Sequence, residues 1–152
     1  MYDPEMLDNL ADSGRSMVAL DLGTQRTGVA LADPPKWIAL PLTTLHAVDF
    51  ARLFTLLVPL LEERNCGALV LGLPLLADGS KGDQALWAEK FQRYFAWRNA
   101  TPCFWQDERY TSEAVADGAR TLGLRAASRH NGKDAGEASL ILADFLATLG
   151  IR

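Results

Sequence analysis

Histidine and cysteine are scarce in this chain, with two of each in 152 residues. His46 and His130 stand at no ligand-like spacing, and Cys66 and Cys103 form no CxxC pair, so neither a zinc nor an iron–sulfur centre is indicated. The two cysteines are read as reduced thiols in or beside strands, since no export signal points to an oxidising compartment. No apolar run approaches the ~18 residues that span a bilayer. Residues 1–16 are polar and acidic rather than a secretory signal. Repeats, linkers and low-complexity tracts are also lacking. What remains is one domain, long enough to bury a core without a disulfide or structural metal. Its expected address is the cytoplasm, with no membrane partner.

The charge is uneven. The chain is acidic overall, at −4, but residues 1–16 hold four acids against Arg15, a net of −3. Residues 109–133 carry Arg109, Arg120, Arg125, Arg129 and Lys133 against Glu113 and Asp117, a net of +3. An acidic isoelectric point therefore does not exclude a polyanionic partner, because the local field decides.

Residues 1–16 show neither strand alternation nor an apolar face, and read as a flexible extension ahead of a domain spanning 17–152. The run Met17–Leu22 is short and apolar, as a buried strand should be. Gly23–Arg26 turns the chain and Thr27–Ala32 returns, which predicts a hairpin. A third strand is expected within 37–45. Asp49 can cap a helix to about Asn65, with Pro59 predicting a kink or a late start. Ala68–Leu73, ended by Pro74, suits a central parallel strand. A Gly-rich loop at 75–82 leads to a helix at 83–98, a strand at 101–106, and helices at 111–122 and 134–149. The order predicts an α/β fold, a five-stranded mixed sheet flanked by helices. Trp87, Phe91, Tyr94 and Phe95 repeat at helical spacing, and core packing is the expected reason. Trp37, Trp97 and Trp105 could stack on bases, although a lone tryptophan is more often partly buried structure.

Three acids occupy suggestive places. Asp21 ends the first strand, Glu108 follows the fifth, and Asp134 opens the last helix. Each has an ordinary explanation taken alone: a turn former, a polar strand end, an acid favoured by a helix N-terminus. Glu137, three residues after Asp134, reads as a helix-surface acid. Acids brought together from separate elements repel one another unless a cation sits between them, and divalent metals are the usual remedy. The Asp21-Leu22-Gly23-Thr24…Thr27-Gly28 stretch also resembles the first phosphate-binding hairpin of the actin, chaperone and sugar-kinase ATPases. Those chains need a second such hairpin, which is not found here.

The joint order of the islands is more specific. Leu20–Thr24 with Arg26–Ala30, Pro41-Leu42-Thr43, Gly72-Leu73-Pro74, Asp78-Gly79-Ser80, Gln84-Ala85, Asp107-Glu108-Arg109 and Asp134…Ala138…Ile141-Leu142 resemble the bacterial pre-16S rRNA nuclease family. That family, also called Holliday junction resolvase-like, lies within the ribonuclease H-like superfamily, and the resemblance spans roughly 17–149. It implies a ribonuclease H-like fold and a nuclease that processes the 5′ end of the small-subunit rRNA precursor. It implies Asp21, Glu108 and Asp134 as catalytic acids and ligands of Mg²⁺ or Mn²⁺. Substrate or backbone-positioning roles fall to Arg26, Gly72, Pro74, Gly79, Ser80, Arg109 and Lys133. The implied partner is nucleic acid, RNA before branched or single-stranded DNA, with a pre-ribosomal particle as a further implied partner, bound by a monomer or homodimer. The alternatives are a junction resolvase, which needs a two-fold dimer to cut two strands symmetrically, and a ribosome-associated RNA-binding module with a vestigial site. An ATP-binding switch is disfavoured by length.

Overall fold

The computed structural model describes residues 5–108 and 135–151. Its elements, in chain order, are α1 (Met6–Ser13), β1 (Ser16–Asp21), β2 (Arg26–Ala32), β3 (Leu40–His46), α2 (Phe50–Glu63), β4 (Cys66–Leu73), α3 (Asp83–Arg98), β5 (Cys103–Asp107) and α4 (Ala135–Thr148). The five strands form one sheet in the order β3-β2-β1-β4-β5. β1 and β2 form the expected antiparallel hairpin, and β3 extends it at the edge. β4 and β5 run parallel to β1, so the carboxyl ends of these three strands share one edge. The helix expected at 111–122 lies outside the described residues.

Alternation along the strands divides the core in two. Met17, Ala19, Ala68, Val70 and Phe104 face α4, where Ala138, Leu142 and Phe145 close over them. Val18, Leu20, Leu69, Leu71 and Trp105 face the opposite way, against Leu53 and Leu57 of α2 and Phe91 and Phe95 of α3. Strands covered on both faces have no reason to alternate in polarity, which is why β1 and β4 read as unbroken apolar runs. Trp87, Phe50 and Phe91 form one aromatic group, with Trp87 and Phe91 nearly parallel at 6.5 Å between centroids.

Local chemistry sets the helix boundaries. Asp49 caps α2 by accepting from the Arg52 amide at 2.7 Å. Pro59 sits inside α2 without breaking it. Both Pro59 and Thr55, whose carbonyl loses its helical donor, are on the exposed side, where water can take the donor's place.

The amino-terminal segment differs from the flexible extension expected. Met6–Ser13 is a helix that buries Met6 and Leu10 in the cluster beneath α4. Gly14, at φ +68°, closes it in the left-handed conformation, with its amide bonded to the Ala11 carbonyl. Leu10 rests directly over Gly67 at the start of β4, where any Cβ would collide with it. One missing side chain on β4 makes the seat for α1.

Candidate active site

Asp21 is the last residue of β1 and is only 3 % exposed. Burying a carboxylate is costly unless it is bonded or charge-compensated. The sheet gives it an unusual flank. Across the antiparallel pair it faces Gly28. Along the parallel pair, Leu20 matches Leu71, so the next residue beside Asp21 is Gly72. Neither neighbour carries a side chain, and Asp21 stands in a slot between two glycines.

Glu108 approaches Gly72 from the β5 side. Gly72 pairs with Gln106 and Leu73 with Asp107. In strand alternation Asp107 falls on the side of Cys103 and Trp105, while Glu108 falls on the side of Phe104, facing α4. Its carboxylate lies over Gly72: a Cβ added there would collide with Oε1, and would sit 2.9 Å from Cδ of Glu108 and 2.6 Å from Cδ1 of Ile141 on α4. Oε1 is shielded from solvent. Asp21 and Glu108 are therefore brought to one edge and one face, with Gly72 as the floor between them.

Asp134, Arg109 and Lys133 lie outside the described residues; α4 is described from Ala135, with Glu137 half-buried in its first turn. Among the described residues no group of three His, Cys, Asp or Glu side chains is collected. The two acids that are described fit a hard divalent cation in kind. They are oxygen donors on one face of one sheet edge, and Glu108 lies over a cradle that a methyl group would fill.

Arg26 opens β2, opposite His46 of β3. With Leu22, Gly23, Thr24 and Gln25 it lines an open pocket of about 180 Å³ whose far wall is Gln84 and Trp87 of α3. This pocket borders the residue after Asp21, on the α3 side of the strand end. Trp87, read from the sequence as core, lines it in addition to packing on Phe50 and Phe91. Helical periodicity alone could not have shown this, since one residue serves both purposes. Pro74 starts the loop after β4, and the loop folds on itself: Gly79 adopts φ +89°, its amide bonds to the Leu76 carbonyl, and Ser80 donates to Asp78 Oδ1 through both amide (2.9 Å) and hydroxyl (2.6 Å). Gly79 and Ser80 thus have evident structural work.

The RuvX family profile, described as Holliday junction resolvase, matches residues 15–148. The chain belongs to this family. Relatives named "Putative pre-16S rRNA nuclease" match most of it. One from Roseiflexus sp. is 38% identical over 90% of this chain and 96% of its own length, and one from Chloroflexus aurantiacus is 38% identical over 86% and 85%. A Rickettsia akari relative is 29% identical over 88% of this chain and 86% of its own. Among solved structures, Thermus thermophilus RuvC in complex with a Holliday junction substrate superposes at TM-score 0.62 with 15% identity, covering 90% of this chain and 96% of that one. The fowlpox virus resolvase reaches 0.52 at 10% identity, covering 88% and 98%. These structures show the fold, a RuvC-like ribonuclease H architecture. The RuvX-family chain is thus a nuclease by family and ribonuclease H-like by fold.

Proposed function

We propose that this chain is a divalent-metal-dependent nuclease that processes the 5′ end of the 16S rRNA precursor. The observation that supports the reading is that Asp21 and Glu108 fall on one face at the carboxyl edge of the parallel strands, with Glu108 lying over Gly72, the strand neighbour of Asp21. Two carboxylates held on one face of a sheet edge, one of them almost fully buried, are a stable arrangement when a cation offsets their charge. Asp21, Glu108 and Asp134 would hold Mg²⁺ or Mn²⁺, which supplies water activation and charge neutralisation at the leaving 3′ oxygen. The protein's own part is positional. Gly28 and Gly72, the strand neighbours of Asp21, add no side chain beside it, and the β-sheet fixes Asp21 within a rigid element. Arg26, Arg109 and Lys133 would hold phosphates flanking the cut, while the loop through Gly79 and Ser80 would border the strand. The curated relatives' name supports an rRNA precursor as the substrate; the same reading would have the chain meet it in a pre-ribosomal particle.

Junction resolution is the second reading, favoured by the family description and by the RuvC-like fold. Both are separated from a vestigial binding module by one assay: cleavage of a 5′-extended precursor RNA, a single-stranded DNA and a four-way DNA junction, with Mg²⁺ or Mn²⁺ titrated in. Precursor trimming that disappears in Asp21→Asn is the expected result. Symmetric cutting of the junction in preference to RNA would replace the proposal with resolution. RNA binding with no metal-dependent cleavage of any substrate would leave only the binding module.

A further inference from the structure

We propose that the outer face of α3 is a binding track for single-stranded RNA, running away from the sheet edge that carries Asp21. This rests on the substrate being a nucleic acid, and adds where the strand lies beyond the cleavage point. Leu86, Lys90, Arg93 and Trp97 are all exposed, Trp97 to 87 %. At about 100° per residue they fall within an arc of roughly 60°, opposite the face that buries Ala88, Phe91 and Phe95. A single exposed aromatic is ordinary on a protein surface. Two cations interleaved with an almost fully exposed tryptophan on one stripe are the composition that single-stranded nucleic acid selects, with phosphates on the cations and a base on the ring.

The surrounding charges strengthen the case. No acid stands on the stripe between Leu86 and Trp97, although Asp83 continues its line one turn earlier. Of the flanking acids in α3, Glu89 is paired with Lys81 at 2.8 Å and Asp83 sits in the first turn. Arg98, next to Trp97, lies 3.5 Å over the Tyr94 ring and donates to the Tyr94 carbonyl at 3.0 Å, which fixes a third cation at the far end. A second copy of this chain is a poorer occupant, because self-pairing along the stripe would bring Lys90 and Arg93 against their own kind. From Leu86 to Trp97 the track runs about 16 Å at 1.5 Å per residue, the reach of a few nucleotides. The amino end of α3, through Gln84 and Trp87, lines the pocket beside Arg26, so the stripe begins at the same end of the sheet as the site and lies round the helix from that pocket.

The test measures binding of the full chain, in chelator, to single-stranded RNAs of roughly 6 and 20 nucleotides across a salt series, the lengths bracketing one single-strand site. Lys90→Gln/Arg93→Gln should reduce the salt slope on the longer RNA by about 1.4, for two phosphate contacts at ~0.7 each. Trp97→Ala should weaken the longer RNA about tenfold, and Trp97→Phe should recover most of that. The short RNA should be indifferent to all three. All these side chains are exposed, so melting temperatures should match the native chain. Unchanged affinity and slope for the longer RNA in both variants would overturn the track. So would loss of self-association in Trp97→Ala with RNA binding intact, which would assign the stripe to a protein contact. Neither result touches the nuclease reading, which is judged separately by metal-dependent cleavage of the short RNA in the same variants.

Discussion

A single methyl group at position 72 should separate what holds the fold from what holds the site. Built on Gly72, a Cβ collides with Glu108 Oε1 and stands 2.6 Å from Ile141 Cδ1. The backbone at Gly72 is ordinary strand, so Gly72→Ala adds bulk without backbone strain. Two responses relieve the clash. Glu108 can swing its carboxylate away, which is inexpensive for a flexible side chain, and Ile141 or α4 must give by several tenths of an ångström. Overpacking of this kind costs about 1–3 kcal/mol, and the mobile carboxylate places Gly72→Ala at the low end, about 1 kcal/mol. For a domain of this size that is a fall of roughly 2–4 °C in melting temperature. The functional loss should be larger. Moving a metal-binding carboxylate off its position costs about 10–100-fold, the range seen when the support of such a ligand is removed. Gly67→Ala is the matching control, since its Cβ would meet Leu10 and sit 2.8 Å from Arg15 Cβ, far from Asp21 along the strand. It should lower the melting temperature and leave cleavage per folded molecule intact. Differential scanning fluorimetry and a metal-dependent cleavage assay on both variants make the comparison. Gly72→Ala cleaving at the native rate would refute the placement of Glu108 in the site.

Asp21→Asn should leave the metal-free melting temperature unchanged or slightly raised, and should abolish the upward shift that Mg²⁺ or Mn²⁺ gives the native chain; an equal shift in both proteins would mean that the cation binds elsewhere. Burial pushes the thiols of Cys66 and Cys103 up from 9.0 to about 11. The unfolded chain therefore ionises them first, and stability present below pH 9.0 is lost progressively towards pH 11. Melts across that window should fall less steeply in Cys66→Ala/Cys103→Ala, and equal slopes would contradict the burial argument. Leu10→Ala, which empties the seat over Gly67, should cost about 2 kcal/mol, or roughly 4–8 °C. An unchanged melting temperature would show that α1 is not docked in solution.

The parts of the fold legible in the sequence are those set by local chemistry. β1 and β4 announce themselves as apolar runs bounded by glycine or proline, α2 by Asp49, and α3 runs from Asp83 to Arg98 as its spacing predicts. α1 is not legible in this way. Only Met6 and Leu10 are buried in it, separated by Asp8 and followed by Asp12, and Leu10 is seated over a glycine more than fifty positions further on. The capping glycine at position 14 was the available local signal. Pro59 does not delay α2, which starts at Phe50, and it lies on the exposed side of the helix, where water can take the place of the missing donor. At the site, the acids are legible from their order along the chain. The use of Gly72 as a floor is not, because a glycine before Leu-Pro reads as turn chemistry until the register shows which carboxylate lies over it.

The position of Asp21 also explains how the sheet tolerates it. A carboxylate in the middle of β1, among Val18, Ala19 and Leu20, would have apolar side chains on every side and no route for a counter-charge. At the strand's last residue the two strand neighbours are glycines, and the chain leaves the sheet directly afterwards through the turn at Gly23. The cluster of Leu53, Leu57, Phe91 and Phe95 packs against the other face of the sheet, drawing on residues of opposite alternation. Stability is thus supplied largely by side chains pointing away from the site, and the cost of holding two acids together is confined to the face beneath α4. Because the sheet separates the two, charge at the edge can change, by mutation or by a bound cation, without repacking the larger aromatic core. The same separation makes Ile141 the sensitive point. It belongs to the α4 face, touches the floor at Gly72 and stands beside Glu108, so a substitution there is felt in packing and in the site at once.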